Sequence, residues 1–230
     1  ICPKDDIISY RHNARELREL LPKCIEAGAE TFELHAAVGE HKITMEEWKL
    51  INEINPDNYN SMCLDRLNLG NSKLEYRIEE ADKISKKKII IQADGYPMSG
   101  GENDFNSTLQ AVACADVINK KFNMRVNKKE AALSNKGKFK KEGSGKAKVL
   151  SKRIYRPSTL SIPIVLSGGT NALSKQLAKQ AGVRCNGVAI GTYARDIIED
   201  FVSDKNFYTD TNIIKKAYNI ANQLVKDNIK

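Results

Sequence analysis

Two glycine-bearing corners in the carboxy-terminal half of the chain carry the residue types that hold anions. The first, Ile162-Pro-Ile-Val-Leu-Ser-Gly-Gly-Thr-Asn171, ends an apolar run at Ser167, Gly168, Gly169, Thr170 and Asn171. The second, Asn186-Gly-Val-Ala-Ile-Gly-Thr-Tyr-Ala-Arg195, ends at Gly191 and Thr192 and reaches Arg195. Glycines let backbone N–H groups approach a negative charge, and a helix starting there adds unpaired donors and partial positive charge. Two such corners in succession predict one anion- or phosphate-binding site. The alternative is a pair of ordinary βα turns in which glycine only relieves crowding.

Acids and a histidine accompany these corners. Asp94 ends the apolar run Lys88-Ile-Ile-Ile-Gln-Ala93 and opens the loop Asp94-Gly-Tyr-Pro-Met-Ser-Gly-Gly101. Glu33 and His35 close the alternating segment Thr31-Phe-Glu-Leu-His35, and Asp65 and Arg66 follow Ser61-Met-Cys-Leu. Asp94, Glu33 or His35 can supply a general acid or base. Equally, Asp94 can cap a turn in its own loop, and His35 can serve a neighbour as a hydrogen-bond partner. Arg195 either reaches a phosphate or pairs with Asp196 or Glu199. Lys88 starts its strand and so lies at the wrong end for a Schiff base, which disfavours an aldolase of that type.

The elements that position these residues follow from periodicity. A helix is predicted from about Ala14 to Ala27, capped by Asn13, stopped at Gly28 and kinked or split at Pro22. Thr44 with Glu47, and Ser72 with Glu75, read as capping boxes for two further helices. Leu109, Val112, Ala113 and Val117 mark another, and Leu173, Leu177, Ala178 and Ala181 the next. A last amphipathic helix, capped by Asp210 or Thr211, runs through Ile213 to Val225. Strands alternating with helices mean a parallel sheet, and about five strand–helix units are present. If the two glycine corners are the seventh and eighth loops of a (β/α)8 barrel, the fold is α/β, TIM-barrel-like and incomplete, the C-terminal part of eight units. A small open α/β sheet is the other possibility.

Charge and cysteine usage narrow the function classes. The formal net charge is +8, but residues 120–156 alone hold fourteen Lys or Arg against Glu130 and Glu142, so the remainder of the chain is net acidic. The basic character therefore belongs to an insertion at about 121–161, read as a solvated loop with a short helix near Glu130 to Leu133. Nucleic-acid binding is disfavoured, because only Phe139 and Tyr155 are placed to stack and no binding module is present. No apolar run is long enough to span a bilayer. Five widely spaced cysteines without a Cys-x-x-Cys pair point to a reducing compartment. Cys24, Cys114 and Cys185, and Cys63 inside its strand, read as core residues. His12 and His41 read as surface residues.

Three segments together resemble a known family. Gln92-Ala-Asp-Gly-Tyr-Pro-Met-Ser-Gly100, Leu166-Ser-Gly-Gly-Thr-Asn171 and Gly187-Val-Ala-Ile-Gly-Thr-Tyr-Ala-Arg195 are similar to the C-terminal domain of the light-dependent period protein (LdpA) family of cyanobacteria, which has plastid and bacterial relatives. The resemblance covers roughly residues 1 to 198. It implies a ferredoxin-like segment with 4Fe–4S clusters ahead of this domain, and a redox-responsive role linked to the circadian clock through redox or regulatory protein partners. It also implies a cytoplasmic or plastid-stromal location. Cys2-Pro3 reads as the end of a C-x2-C-x2-C-x3-C-P run, so the resemblance makes Cys2 the final ligand of that segment, with residues 1–12 as its tail end. The other cluster cysteines are absent here, and neither the insertion nor residues 204–230, the C-terminal helix, belong to the family pattern. The barrel portion is thus residues 13–203. Its expected guest is a small anionic ligand, with flavin mononucleotide or another phosphorylated compound as candidates. The alternative function is a flavin- or phosphometabolite-using TIM-barrel enzyme.

Overall fold

Short runs bounded by polar corners, Ile-rich in two of them, fold as parallel strands in the computed structural model, which describes residues 14–95, 104–125, 156–157 and 162–229. The strands are β1 (Glu33–His35), β2 (Asn60–Asp65), β3 (Ile89–Asp94), β4 (Met124–Arg125), β5 (Arg156–Pro157), β6 (Ile164–Ser167) and β7 (Gly187–Val188). Five of them form one sheet in the order β1-β2-β3-β6-β7, every pairing parallel. The helices are α1 (Ala14–Glu26), α2 (His41–Ile54), α3 (Arg66–Ile84), α4 (Asp104–Ile118), α5 (Ser174–Gln180), α6 (Thr192–Asp196), α7 (Glu199–Val202) and α8 (Thr211–Ile229). The alternation of strand and helix is as the sequence predicts. The strands also lie side by side in chain order, with no reversal among them.

Strand periodicity sorts the side chains onto two unlike faces. Met62 and Leu64, Ile89, Ile91 and Ala93, and Ile164 and Leu166 point to one face and are fully buried. They pack with Leu74, Ile78, Ala111, Ala115, Ile118 and Ala178 from the helices in a single core. α1, α2, α3, α4, α5 and α8 each touch the next, forming one continuous layer over that face. Trp48 fastens α2 to α3 within it, its indole N–H donating to the Ala81 carbonyl at 2.9 Å. The opposite face reads Glu33 and His35, Ser61, Cys63 and Asp65, Gln92 and Asp94, then Ser167. Half-buried Ile90 and Val165 are the apolar members of that face.

Several local expectations need correction. α1 continues through Pro22 as one helix, so of the expected kink or split the split does not occur; α1 packs on α2. α2 starts at His41, ahead of the predicted capping box at Thr44. Thr44 is instead buried in the first turn, its hydroxyl donating to the Glu40 carbonyl at 2.7 Å. α3 gains an extra first turn capped by Asp65, which accepts from the Asn68 N–H at 2.6 Å. Gly70, at φ 67° and ψ 163°, then separates that turn from the helix predicted to start at Ser72. His41 is half-buried rather than at the surface. It pairs with Glu80, stacks beside Tyr76 and accepts a long contact from the buried Arg77, which also donates to the Ala36 and Val38 carbonyls. Cys24 is exposed rather than core, and Cys185 is intermediate.

The ends of the basic insertion are tied together. A π-helical turn (Asn119–Asn123) follows α4, and β4 pairs antiparallel with β5, Met124 opposite Pro157 and Arg125 opposite Arg156. The short helix expected near Glu130, residues 1–12 with Cys2, and most of the loop after Gly95 lie outside the described residues. No helix among the described residues is long and apolar enough to cross a membrane.

Asparagines clip the starts of the strands, at the end of the sheet away from the glycine corners. Asn60 Oδ1 accepts from the Phe32 N–H at 3.2 Å and from Asn55 Nδ2 at 2.9 Å, with Asn60 fully buried. Asn123 Oδ1 accepts from the Ile162 N–H at 2.8 Å, and Asn186 Oδ1 accepts from the Ile164 N–H at 2.9 Å. Truncating such a side chain strands buried donors. Asn60→Ala is therefore expected to lower unfolding free energy by about 2 kcal/mol, read from the urea midpoint. A midpoint equal to that of the parent protein would mean that β1 is not held by this clip.

Candidate functional site

A cleft of about 480 Å³ opens where the strands end. Its lining joins both predicted corners, Ser167 to Thr170 and Gly191 to Arg195, with Ala189 and Ile190 between them and Glu33 and Gln92 across from them. The two corners are brought together because β6 and β7 are hydrogen-bonded neighbours, Leu166 opposite Val188. Thr170 ties them further, its hydroxyl donating to the Ala189 carbonyl.

The glycines have two different explanations. Gly168 and Gly169 stand at φ 63° and 67°, the left-handed region that side chains resist. A Cβ on Gly168 would lie 1.6 Å from Asp94 Oδ1, and one on Gly169 would lie 2.1 Å from the Ser107 Cβ in α4. Crowding thus accounts for both. It does not account for Gly191, where nothing lies within 4 Å of the Cβ position. The N–H groups of Gly168, Gly169 and Gly191 meet no acceptor among the described residues.

The helices contribute less than the sequence implies. α5 begins only at Ser174, beyond the glycine corner, and α6 is just 5 residues long. Asn171 is turned away from the cleft and buried. Its Oδ1 accepts from the Leu173 N–H at 2.9 Å, and its Nδ2 donates to the Thr108 hydroxyl at 3.2 Å. Thr108 in turn donates to the Gly169 carbonyl at 2.6 Å. Asn171 thus braces the corner from behind. Arg195 is exposed at the cleft wall, donates from Nη2 to the Thr192 hydroxyl at 3.1 Å, and forms no ion pair with Asp196 or Glu199.

Asp94 does not line the cleft. Its carboxylate is buried between Cys63, whose thiol donates to Oδ2 at 3.2 Å, and the Cα of Gly168. Oδ1 is buried with no hydrogen-bond partner among the described residues. Burial raises its pKa above the ordinary 3.8, with the Cys63 hydrogen bond and His35 opposing in part. Glu33, by contrast, does reach the cleft, held by Gln92, whose amide donates to it and to the Ser61 hydroxyl. His35 is exposed and stands beside Glu33 without a hydrogen bond of its own among the described residues.

Two residues that the sequence reading did not select belong here, Gln92 and Cys63. Cys63 is buried, as a core residue would be, but it faces the polar side of the sheet. Burial first, then Asp94, Glu33 and Asp65, push its thiol pKa well up. The signal was present in the alternation Ser61, Cys63, Asp65 against Met62 and Leu64. Cys114, on the helical side, is the true core thiol, pushed up to about 12 by burial.

No family model, curated protein or solved structure matches the chain.

Two expectations follow from Asp94. Gly168→Ala combines a left-handed backbone cost of about 1–2 kcal/mol with a collision against Oδ1. In an Asp94→Ala background the collision with Oδ1 disappears and that with the Gly95 carbonyl, at 2.7 Å, remains, so the same change should cost at least about 1 kcal/mol less, measured as a double-mutant cycle in urea. Equal costs in both backgrounds would deny the contact. The raised pKa sets a pH signature. The folded protein holds the Asp94 proton more tightly than the unfolded chain does. Stability from this group is therefore complete below the ordinary 3.8 and falls as pH rises from there through the folded value. Asp94→Asn should then be more stable than the parent at neutral pH, an advantage that shrinks as pH falls through the folded value and is gone below 3.8. Urea midpoints of chelator-treated protein across pH test this; an advantage growing toward acid would refute it.

Proposed function

We propose that the cleft binds the phosphate end of a small anionic ligand, in a domain that forms an arc of a TIM-barrel-like fold. The observation that carries this reading is Gly191. Its side-chain position is open, so crowding gives no reason for a glycine there, yet it lines the same cleft as the crowded Gly168 and Gly169 corner. Backbone donors at two corners with Arg195 beside them suit a phosphate, and Ser167, Thr170 and Thr192 add hydroxyls along the wall. The barrel reading draws support from the strand order and the two faces. Parallel sheets are normally covered on both sides, and consecutive strands with helices on one face are the arrangement of a barrel wall. The polar face of this sheet would then be an interior, and closure would take roughly three strands more.

The resemblance to the LdpA family extends the reading to a redox-responsive protein. A 4Fe–4S cluster in a preceding ferredoxin-like segment, completed by Cys2, would couple electron state to the ligand in the cleft. Among the described residues no two cysteines share a ligand cluster, and none of them is assigned to that cluster. The second reading, a flavin- or phosphometabolite-using enzyme, is favoured by one observation. The Glu33 carboxylate stands in the cleft wall, fixed by Gln92, where it can accept a proton from a bound substrate.

The ligand reading is tested with inorganic phosphate and flavin mononucleotide by calorimetry on the purified chain. Gly191→Asp places a carboxylate in open space and should abolish binding, and Arg195→Ala should weaken it at least about tenfold, a loss of roughly 1.4 kcal/mol. Both positions are at the surface, so the thermal midpoint should hold. Phosphate affinity unchanged by both substitutions would remove the cleft from consideration. Yellow colour on purification, lost in Gly191→Asp, would favour the enzyme.

A further inference from the structure

We propose that Glu33, His35 and Cys63 form a three-ligand site for a divalent transition-metal ion of the zinc class, at the wall of the cleft. The argument starts from the register. β1 and β2 are parallel neighbours with His35 opposite Cys63 and Glu33 opposite Ser61. Side chains two apart on a strand share a face, so Glu33 and His35 both lean toward the strand that carries Cys63. One carboxylate oxygen, one imidazole nitrogen and the thiol sulfur consequently lie within 4.8 Å of one another. Bonds of about 2.0–2.3 Å to a tetrahedral ion ask for ligand separations near 3.5 Å. Both β1 side chains are exposed, so the remaining ångström is within reach of rotamer changes alone.

A second, separate observation calls for positive charge at this place. Asp94 is buried beside Cys63 with Oδ1 unpartnered, and Asp65 stands next to it on the same face. No Lys or Arg forms an ion pair with Glu33, Asp65 or Asp94 among the described residues. Three carboxylates and a thiol thus share this face with His35 and form no ion pair with a Lys or Arg among the described residues, and burial of Cys63, Asp65 and Asp94 raises the cost of their negative charge. A divalent ion offsets it. Its bond to sulfur replaces the thiol proton, which leaves as H⁺. Asp94 Oδ2, 3.2 Å from that sulfur, gives up its hydrogen bond when the proton leaves and instead adds negative charge beside the ion.

Donor chemistry selects the ion. One sulfur, one nitrogen and one oxygen exclude calcium and magnesium, which take oxygen shells, and suit zinc, cobalt or ferrous iron. Three protein ligands leave a fourth position for water, the arrangement of a reactive rather than a purely structural centre. Glu33 belongs both to this cluster and to the cleft lining, so a bound ion would share that side chain with the cleft. The site does not depend on an anion being there.

Cobalt titrated into the reduced, chelator-stripped full chain is the direct test. We expect one ion per chain with the near-ultraviolet band of a cobalt–thiolate bond, displaced by zinc. Cys63→Ser should lose the band. Because Cys63 is buried, His35→Ala at its exposed neighbour is the control for folding, and it should also lose tight binding while circular dichroism stays unchanged. Asp94→Asn should weaken affinity by about 10–100-fold without removing the band. Absence of a thiolate band in the parent protein overturns the proposal. So does a band that survives Cys63→Ser, since it would arise from another cysteine, or tight binding that survives His35→Ala, since the imidazole would then not be a ligand.

Discussion

The constraint on which the rest depends is the register of the parallel strands. Because β1, β2, β3 and β6 pair without a slip, residues at alternate positions form rows across the sheet. One set of rows is Met62, Ile91 and Ile164 with their neighbours; the other is Glu33, Ser61, Ile90, then His35, Cys63, Gln92, Val165. A shift of one residue in any strand would drive carboxylates into the helical core and isoleucines into the open. The hydrophobic core therefore does more than stabilise the domain. By fixing which side chains face the helices, it fixes which polar groups must meet on the other side.

That division explains the unequal treatment of the two ends of the sheet. At the starts of the strands, asparagine side chains satisfy backbone groups, Asn60, Asn123 and Asn186 each serving a neighbouring strand or segment. At the far ends, backbone N–H groups at the glycine corners meet no acceptor among the described residues, and Asp94 keeps a buried oxygen unpaired among them. One end is saturated with hydrogen bonds and the other is not. In a parallel α/β sheet this asymmetry is the physical difference between scaffold and site.

Much of this was legible in the sequence, and the reasons for the remainder are specific. The strands at Lys88–Ala93 and Ile162–Asn171 announced themselves by continuous apolar runs, and the pairing of the two glycine corners followed from their succession. What the chain could not disclose from periodicity alone was depth. Asp94 was legible as the end of a buried strand, but that its carboxylate would sit behind Gly168 rather than in front depends on a contact between β3 and β6. Cys63 was legible as buried, but its orientation depends on the register with His35. Gln92 is polar within an otherwise apolar run, a signal that gains meaning only when Glu33 is found two strands away. Helix starts were misjudged at Thr44 because its hydroxyl bonds back to Glu40, satisfying locally what a capping box would satisfy.

The pairing of Met124 with Pro157 and Arg125 with Arg156 has a consequence for what the chain can tolerate between them. It brings the two boundaries of the basic stretch to a single ladder spacing, about 5 Å. The route from α4 to β6 can therefore be completed by a tight turn joining β4 to β5. Sequence there is free to lengthen, shorten or change its charge while the rows of the sheet stay in step. Such a position accepts new recognition properties without renegotiating the architecture beneath it, and a strongly positive stretch on a body of opposite sign is what that freedom permits.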